Sequence, residues 1–314
     1  MNKNKIIIVG SGAVGASYAF NLVVSGIGDS VGIIDINLKK ALGDVLDLED
    51  ALAFYPHKKM FQASYEDCFD ADLVVITAGV AQKQGGETRL ELLKTNISIL
   101  KDVTERVVSS GFKGIFLVVS NPVDIMTYVV LKYSHFPKNR VIGTGTVLDT
   151  ARLRKELSMD LNIDTGNIHA YIMGEHGDSE FAVWSNAFIS AIPIREWLTM
   201  HGVKNIDNYL IKKRENARRR AYNIIDLKGS TYYGIAGSLT KITKAILKDE
   251  RVIMTVSCYL DGEFDVRDVV IGVPAIIDSS GIKEVIDLKL SKEEQVQMNN
   301  SVHVLKDVIQ GLEL

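Results

Sequence analysis

The sequence predicts an α/β protein in which a doubly wound parallel sheet occupies residues 1–143 and a second, mixed α+β domain occupies residues 144–314. Three observations predict it. β-branched runs alternate with helical stretches in the first half, a glycine-rich turn joins the first run to the first helix, and longer helical stretches take over after Thr144.

Taken in order, the strand-like runs are Lys5–Val9, Val31–Asp35, Leu73–Thr77, Phe116–Val119 and Val141–Ile142. They are short and nearly continuous in apolar residues, as strands covered on both faces must be. Helical spacing of apolar residues marks Ala13–Val24, Leu38–Leu52 and Leu90–Val108, each lying between two of those runs. The second half opens with helical Thr146–Leu157 and continues with Ile211–Ile225; strand-like runs lie around Ile168–Ile172, Val252–Tyr259 and Val269–Pro274. A last helix is expected to start at Ser291, an N-cap followed by Glu293 and Glu294. Its Val302, Leu305, Val308, Ile309 and Leu312 share one face.

The 36 basic and 39 acidic residues are evenly mixed, for a net charge of −3. That leaves no basic field for nucleic acid or an anionic membrane, so the expected partner is a small molecule. Only Ile6 to Val9 precede the first glycine as an apolar run, and no stretch approaches the ~20 residues of a membrane-spanning helix. Cys68 and Cys258 lie far apart and form no framework, which suits a reducing compartment. A soluble cytoplasmic protein is expected.

The turn Gly10-Ser11-Gly12-Ala13-Val14-Gly15 follows a strand and opens a helix, the context of a Rossmann-type dinucleotide site. Gly10 permits the turn, Gly12 lets backbone approach a pyrophosphate, and Gly15 lets helix pack on strand; the free N–H groups of the helix start then face the phosphates. Asp35 ends the second run, 20 positions after Gly15, where a carboxylate accepts hydrogen bonds from ribose hydroxyls and repels a 2′-phosphate. With no arginine close behind it, NAD is expected rather than NADP.

Hydride transfer from an alcohol to nicotinamide must be matched by loss of the hydroxyl proton, which calls for a base near neutral pH. His176, between glycines in Gly174-Glu175-His176-Gly177-Asp178, is the candidate. A metal reading of Glu175, His176 and Asp178 is disfavoured because no second histidine stands at ligand spacing. Asp149 and Arg152, three apart at the start of a helix, share a face. An aspartate there orients the imidazole and raises its pKa, while the arginine is shaped to grip a carboxylate with two hydrogen bonds. The glycine-containing segment Ala78–Arg89 follows the third run and reads as a lid able to deliver Arg89 to a substrate carbonyl. The basic stretch Lys212-Lys213-Arg214 with Arg218-Arg219-Arg220 reads as a solvated helix face.

Together the stretches GSGAVG, ITAGVAQK, GETRLELL, VVSNPVD, GTGTVLDTARLR, HAYIMGEHGDSE and KGSTYYGIA resemble the lactate/malate dehydrogenase family, in its order and over essentially the whole chain. The resemblance implies that His176 exchanges the proton, Asp149 orients it, Arg152 clamps the substrate carboxylate and Arg89 closes from the loop. It implies that Thr77, Ala78 and Gly79 line the cofactor, that Asn121 touches nicotinamide and substrate beside a cis Asn121–Pro122 bond, and that Thr231 and Ile235 line the pocket. In the family a loop glutamine, here Gln82, suits pyruvate, whereas an arginine there would pair the second carboxylate of oxaloacetate. Six residues separate Gln82 from Arg89 where the family usually has five, so larger 2-oxoacids of the 2-oxoisocaproate type stay open beside pyruvate, and malate is disfavoured. Arg154 and His169 match positions that bind fructose 1,6-bisphosphate between subunits of allosteric members, and a homotetramer is the family expectation.

Overall fold

The computed structural model describes residues 4–80 and 89–312, the side chains of Arg89 and Leu90 excepted. The first half runs β1 (Lys5–Val9), α1 (Ala13–Ser25), β2 (Ser30–Ile34), α2 (Leu38–Ala51), β3 (Lys59–Gln62), β4 (Leu73–Ile76), α3 (Arg89–Ser109), β5 (Ile115–Val118), α4 (Val123–Ser134) and β6 (Val141–Gly143). Its strands are parallel in the order β3-β2-β1-β4-β5-β6, with Ile6 opposite Val31 on one side and Leu73 on the other. The strand order therefore reverses between β1 and β4. In an open sheet, ligands enter the crevice at the carboxyl ends of such a pair.

The second half runs α5 (Val147–Leu161), β7 (Ile168–His169), β8 (Ile172–Met173), β9 (Phe181–Ala182), β10 (Phe188–Ile189), β11 (Ile192–Pro193), α6 (Ile194–Met200), α7 (Ile206–Lys228), α8 (Tyr233–Leu247), β12 (Val252–Asp261), β13 (Arg267–Asp278), β14 (Gly281–Val285) and α9 (Lys292–Gln310). The antiparallel strands β12, β13 and β14 attach to β6 through the pair Ser257 and Gly143, giving a nine-stranded, mostly parallel sheet. The expected boundary after residue 143 falls between β6 and α5, yet the sheet runs through it. A main apolar core covers this sheet, and a smaller one around Leu153, Leu157, Ile168, Ile172 and Leu198 lies under α5 to α7.

Two differences from the sequence expectations have a physical reason. Helix α4 was not expected as a helix because its first eight residues are buried on all sides: Val123 through Val130 are all buried, so no exposed face breaks that run into a 3.6-residue period. The single run expected around Ile168–Ile172 divides, because β7 pairs with β10 while β8 pairs with β9 in a different sheet. Ser291 caps α9 as expected, exchanging hydrogen bonds with Glu294 in a capping box. No helix among the described residues is long and apolar enough to cross a membrane.

Candidate active site

At the carboxyl end of β1 the chain turns through Gly10, whose φ of 108° lies where side-chain-bearing residues are strained. α1 then starts without a side-chain cap and without an acidic residue in its first turn, and Gly12 and Ala13 are exposed there. Open N–H groups at the positive end of a helix fit a pyrophosphate. Val14 sits half-buried behind them, and Gly15 is packed so closely that a Cβ would lie 2.0 Å from the Gly10 carbonyl oxygen. Gly15→Ala is therefore expected to destabilise the fold by roughly 1–3 kcal/mol and to weaken NADH binding, which thermal melting and a fluorescence titration would measure.

Asp35, just past β2, accepts the backbone N–H of Ser11 at 2.6 Å and that of Asn37 at 2.8 Å. Its remaining lone pairs are what a ribose hydroxyl would meet. Thr77 donates to the Gly10 carbonyl at 2.8 Å and so ties the end of β4 to the glycine turn; Ala78 and Gly79 continue from it. Asn121 follows β5 across a cis bond to Pro122, as expected. Buried Asn96 of α3 binds both edges of Val80 and donates to the Asn121 carbonyl at 3.3 Å, joining these two strand ends. That residue was missed, and only its polar character on an otherwise apolar helix stripe could have signalled it.

The reaction cluster centres on one buried carboxylate. Arg152 Nη1 donates to Asp149 Oδ1 at 2.8 Å, and His176 Nδ1 lies 2.7 Å from Asp149 Oδ2. Asp149 and Arg152 are 5% and 8% exposed, so removing either would leave the other as an uncompensated buried charge. Burial opposes charge on the His176 ring, but the charge and hydrogen bond of Asp149, helped by Asp124 and Glu180, win and push its pKa up to about 9. Burial likewise works against ionised Asp149, and His176 and Arg152 more than offset it, holding its pKa below the usual carboxylate value.

The loop carrying His176, between β8 and β9, is pinned from several elements. Gly174 bonds Gly272 of β13, the Glu175 N–H donates to Ser301 of α9 at 2.6 Å, and the His176 N–H donates to Asp124 of α4 at 2.8 Å. Ser257 of β12 donates to the other Asp124 oxygen at 2.6 Å, and burial, eased by these two bonds, pushes the Asp124 pKa up to about 6. From α7, Arg218 and Tyr222 donate to Asp178 at 2.8 and 3.1 Å, and Arg214 donates to the Glu180 carbonyl at 2.6 Å. The expected solvated face of α7 holds for exposed Lys212, Arg219 and Arg220 and is corrected for the rest: Lys213 is buried, and Arg214 and Arg218 hold the reaction loop.

α8 brings the remaining pocket candidates near. Tyr18 of α1 and Thr243 of α8 share a buried hydrogen bond of 2.6 Å, and Gly234 abuts Leu148, next to Asp149. Thr231 and Ile235, both half-buried, flank that contact at the start of α8. Arg154 donates to the Ala170 carbonyl at 3.0 Å with its guanidinium over the Tyr171 ring, beside exposed His169 of β7. Gln82 lies outside the described residues, as does the side chain of Arg89, which opens α3.

Two family models match the chain: the lactate/malate dehydrogenase NAD binding domain over residues 4–143 and the lactate/malate dehydrogenase alpha/beta C-terminal domain over residues 146–313. An L-lactate dehydrogenase of Latilactobacillus sakei subsp. sakei is 51% identical over 97% of this chain and 93% of its own length. L-lactate dehydrogenase 1 of Enterococcus faecalis is 52% identical over 98% and 93%. The crystal structure of the minor L-lactate dehydrogenase from Enterococcus mundtii in its ligands-bound form superposes with a TM-score of 0.97 at 43% identity, covering all of both chains. Its ligands-unbound form gives a TM-score of 0.91 over 100% of this chain and 99% of that one.

Proposed function

Because the chain belongs to the lactate/malate dehydrogenase family, we propose that it catalyses reversible, NAD-dependent hydride transfer between NADH and pyruvate to give L-lactate. The observation that carries this reading is the sharing of Asp149 between His176 and Arg152. In reduction, His176 gives its proton to the carbonyl oxygen as that oxygen becomes a hydroxyl. Asp149 stabilises the charged ring before the transfer and reclaims it after reprotonation. Arg152 commits one N–H to Asp149 and has others for the substrate carboxylate. Bound NADH supplies the hydride; Gly10, Gly12, Ala13, Val14, Gly15, Asp35, Thr77, Ala78, Gly79, Asn121 and Ile235 are the residues that would hold it.

Arg89 polarises the carbonyl in this reading, Thr231 lines the pocket beside it, and Gln82 offers no cation to a second carboxylate. Relative kcat/KM for pyruvate, oxaloacetate and 2-oxoisocaproate tests it. Pyruvate is expected first and oxaloacetate at least about tenfold behind, since a buried unpaired carboxylate is costly. Oxaloacetate in first place would overturn the reading of Gln82, and no turnover beside normal NADH binding would make the chain a silent binding scaffold.

Assembly and regulation follow the same reading. α1 and α2 expose Phe20, Val24, Leu38, Leu42 and Leu46, an apolar face suited to a homotetramer contact in a cytoplasmic enzyme. Arg154, which bonds the Ala170 carbonyl, and exposed His169 next to that residue in sequence are the pair we assign to fructose 1,6-bisphosphate, whose binding across subunits would favour the active assembly. Repeating the substrate series with the sugar bisphosphate is expected to lower KM for pyruvate; an unchanged KM would remove the effector.

A further inference from the structure

A carboxylate oxygen of Glu180, a ring nitrogen of His176 and an oxygen of Asp149 lie within 4.8 Å of one another. Glu180 is 4% exposed, yet no ion pair to its carboxyl is found among the described residues. The cations around it make their bonds to other groups, with only the buried Arg214 Nε left without a partner among them. Arg152 of α5 donates to Asp149, and Arg214 of α7 donates to the Glu180 main-chain oxygen and pairs with Glu215. A second buried anion here would sit against Asp149 and compete with the substrate carboxylate for Arg152, the arrangement that like charges at close range disfavour.

We propose that Glu180 is a positioning residue for the hydride step: a buried carboxyl that keeps its proton in the neutral range and so leaves Asp149 as the single carboxylate between His176 and Arg152. Burial first, and then the charge of Asp149, push Glu180 up to about 8, against the pull of His176, Arg214 and Arg152. Ionisation of Glu180 on the alkaline side adds a negative charge beside the carboxylate clamp. Because the same charge favours the protonated His176 ring, pyruvate binding then weakens through the clamp and not through earlier loss of the His176 proton.

The inference rests on the pyruvate-reducing reading above. Its test is the pH profile of KM for pyruvate in the parent and in Glu180→Gln, which fixes the neutral state at every pH. Between about pH 7 and 10, KM is expected to rise about tenfold less in E180Q than in the parent, one pKa unit of coupling being a factor of ten. Glu180→Asp, which can still ionise, should restore the steep rise. If E180Q does not fold, Glu180→Met, a near-isostere without charge, provides the same comparison. Superimposable profiles, or an E180Q KM raised more than about tenfold already at neutral pH, would overturn the inference, because the carboxyl would then be inert or already ionised. A parent that does not reduce pyruvate at all sinks the functional reading instead, while infrared difference spectra still report on Glu180: its protonated C=O band, missing in E180Q, must be present at neutral pH and lost in alkali.

Discussion

His176→Asn lowers kcat/KM for pyruvate by an expected 10²- to 10⁴-fold, roughly the contribution of a positioned general acid. Asparagine keeps a hydrogen-bonding group near Asp149 but has no proton to give at neutral pH, so the loss should fall on the chemical step. Steady-state kinetics with NADH near saturation measures it, and a variant as fast as the parent would remove the ring from the mechanism. The parent's pH dependence has a definite sign. With the ring pushed from 6.5 to about 9, the proton needed for reduction is retained through neutrality and reduction fails as pH rises through about 9. The same shift is a stability statement: a folded-state pKa above the unfolded value contributes stability fully present below about 6.5 and lost as pH climbs through about 9. H176N should lose that alkaline dependence, read by melting temperature against pH.

Arg152→Lys should raise KM for pyruvate by roughly 10- to 10²-fold, on the scale of the ~1.5–3 kcal/mol of a hydrogen bond to a charged group. Lysine keeps the charge. It lacks the planar fork that lets one guanidinium bond Asp149 Oδ1 and still offer parallel N–H groups to a carboxylate. NADH affinity should change far less, because the glycine turn and Asp35 lie on other elements. The split between pyruvate KM and NADH dissociation, from initial rates and fluorescence titration, separates a lost clamp from a general collapse of the site.

Sequence pattern carried the parallel core well, because strands covered on both faces leave short apolar runs and the helices between them keep one polar side. It also placed Asp149, Arg152 and His176, whose bonding is local in α5 and between α5 and one loop. What escaped was long-range. Asp124 was read only as the end of a motif prized for Asn121, although an acid in the buried first turn of a helix needs a partner. Its donors, His176 and Ser257, lie 52 and 133 positions away, a distance no spacing rule reaches. Ser301 holds Glu175 from 126 positions away. Arg219 and Arg220 of α7 are solvated as read, whereas Arg214 and Arg218 were misread: they are four apart and flank buried Ala217, so they share the inward side of that helix. Glu180 closed a quoted motif without being singled out, since a lone glutamate in sequence reads as surface.

The fastening of residues 174–180 by α4, α5, α7, α9 and β13 has a consequence for turnover. The conformational freedom of that segment is surrendered once, when the polypeptide collapses, and not again at each catalytic cycle. The imidazole is therefore preorganised before substrate arrives, so binding energy from the oxoacid is free to be spent on the opposite wall of the cleft.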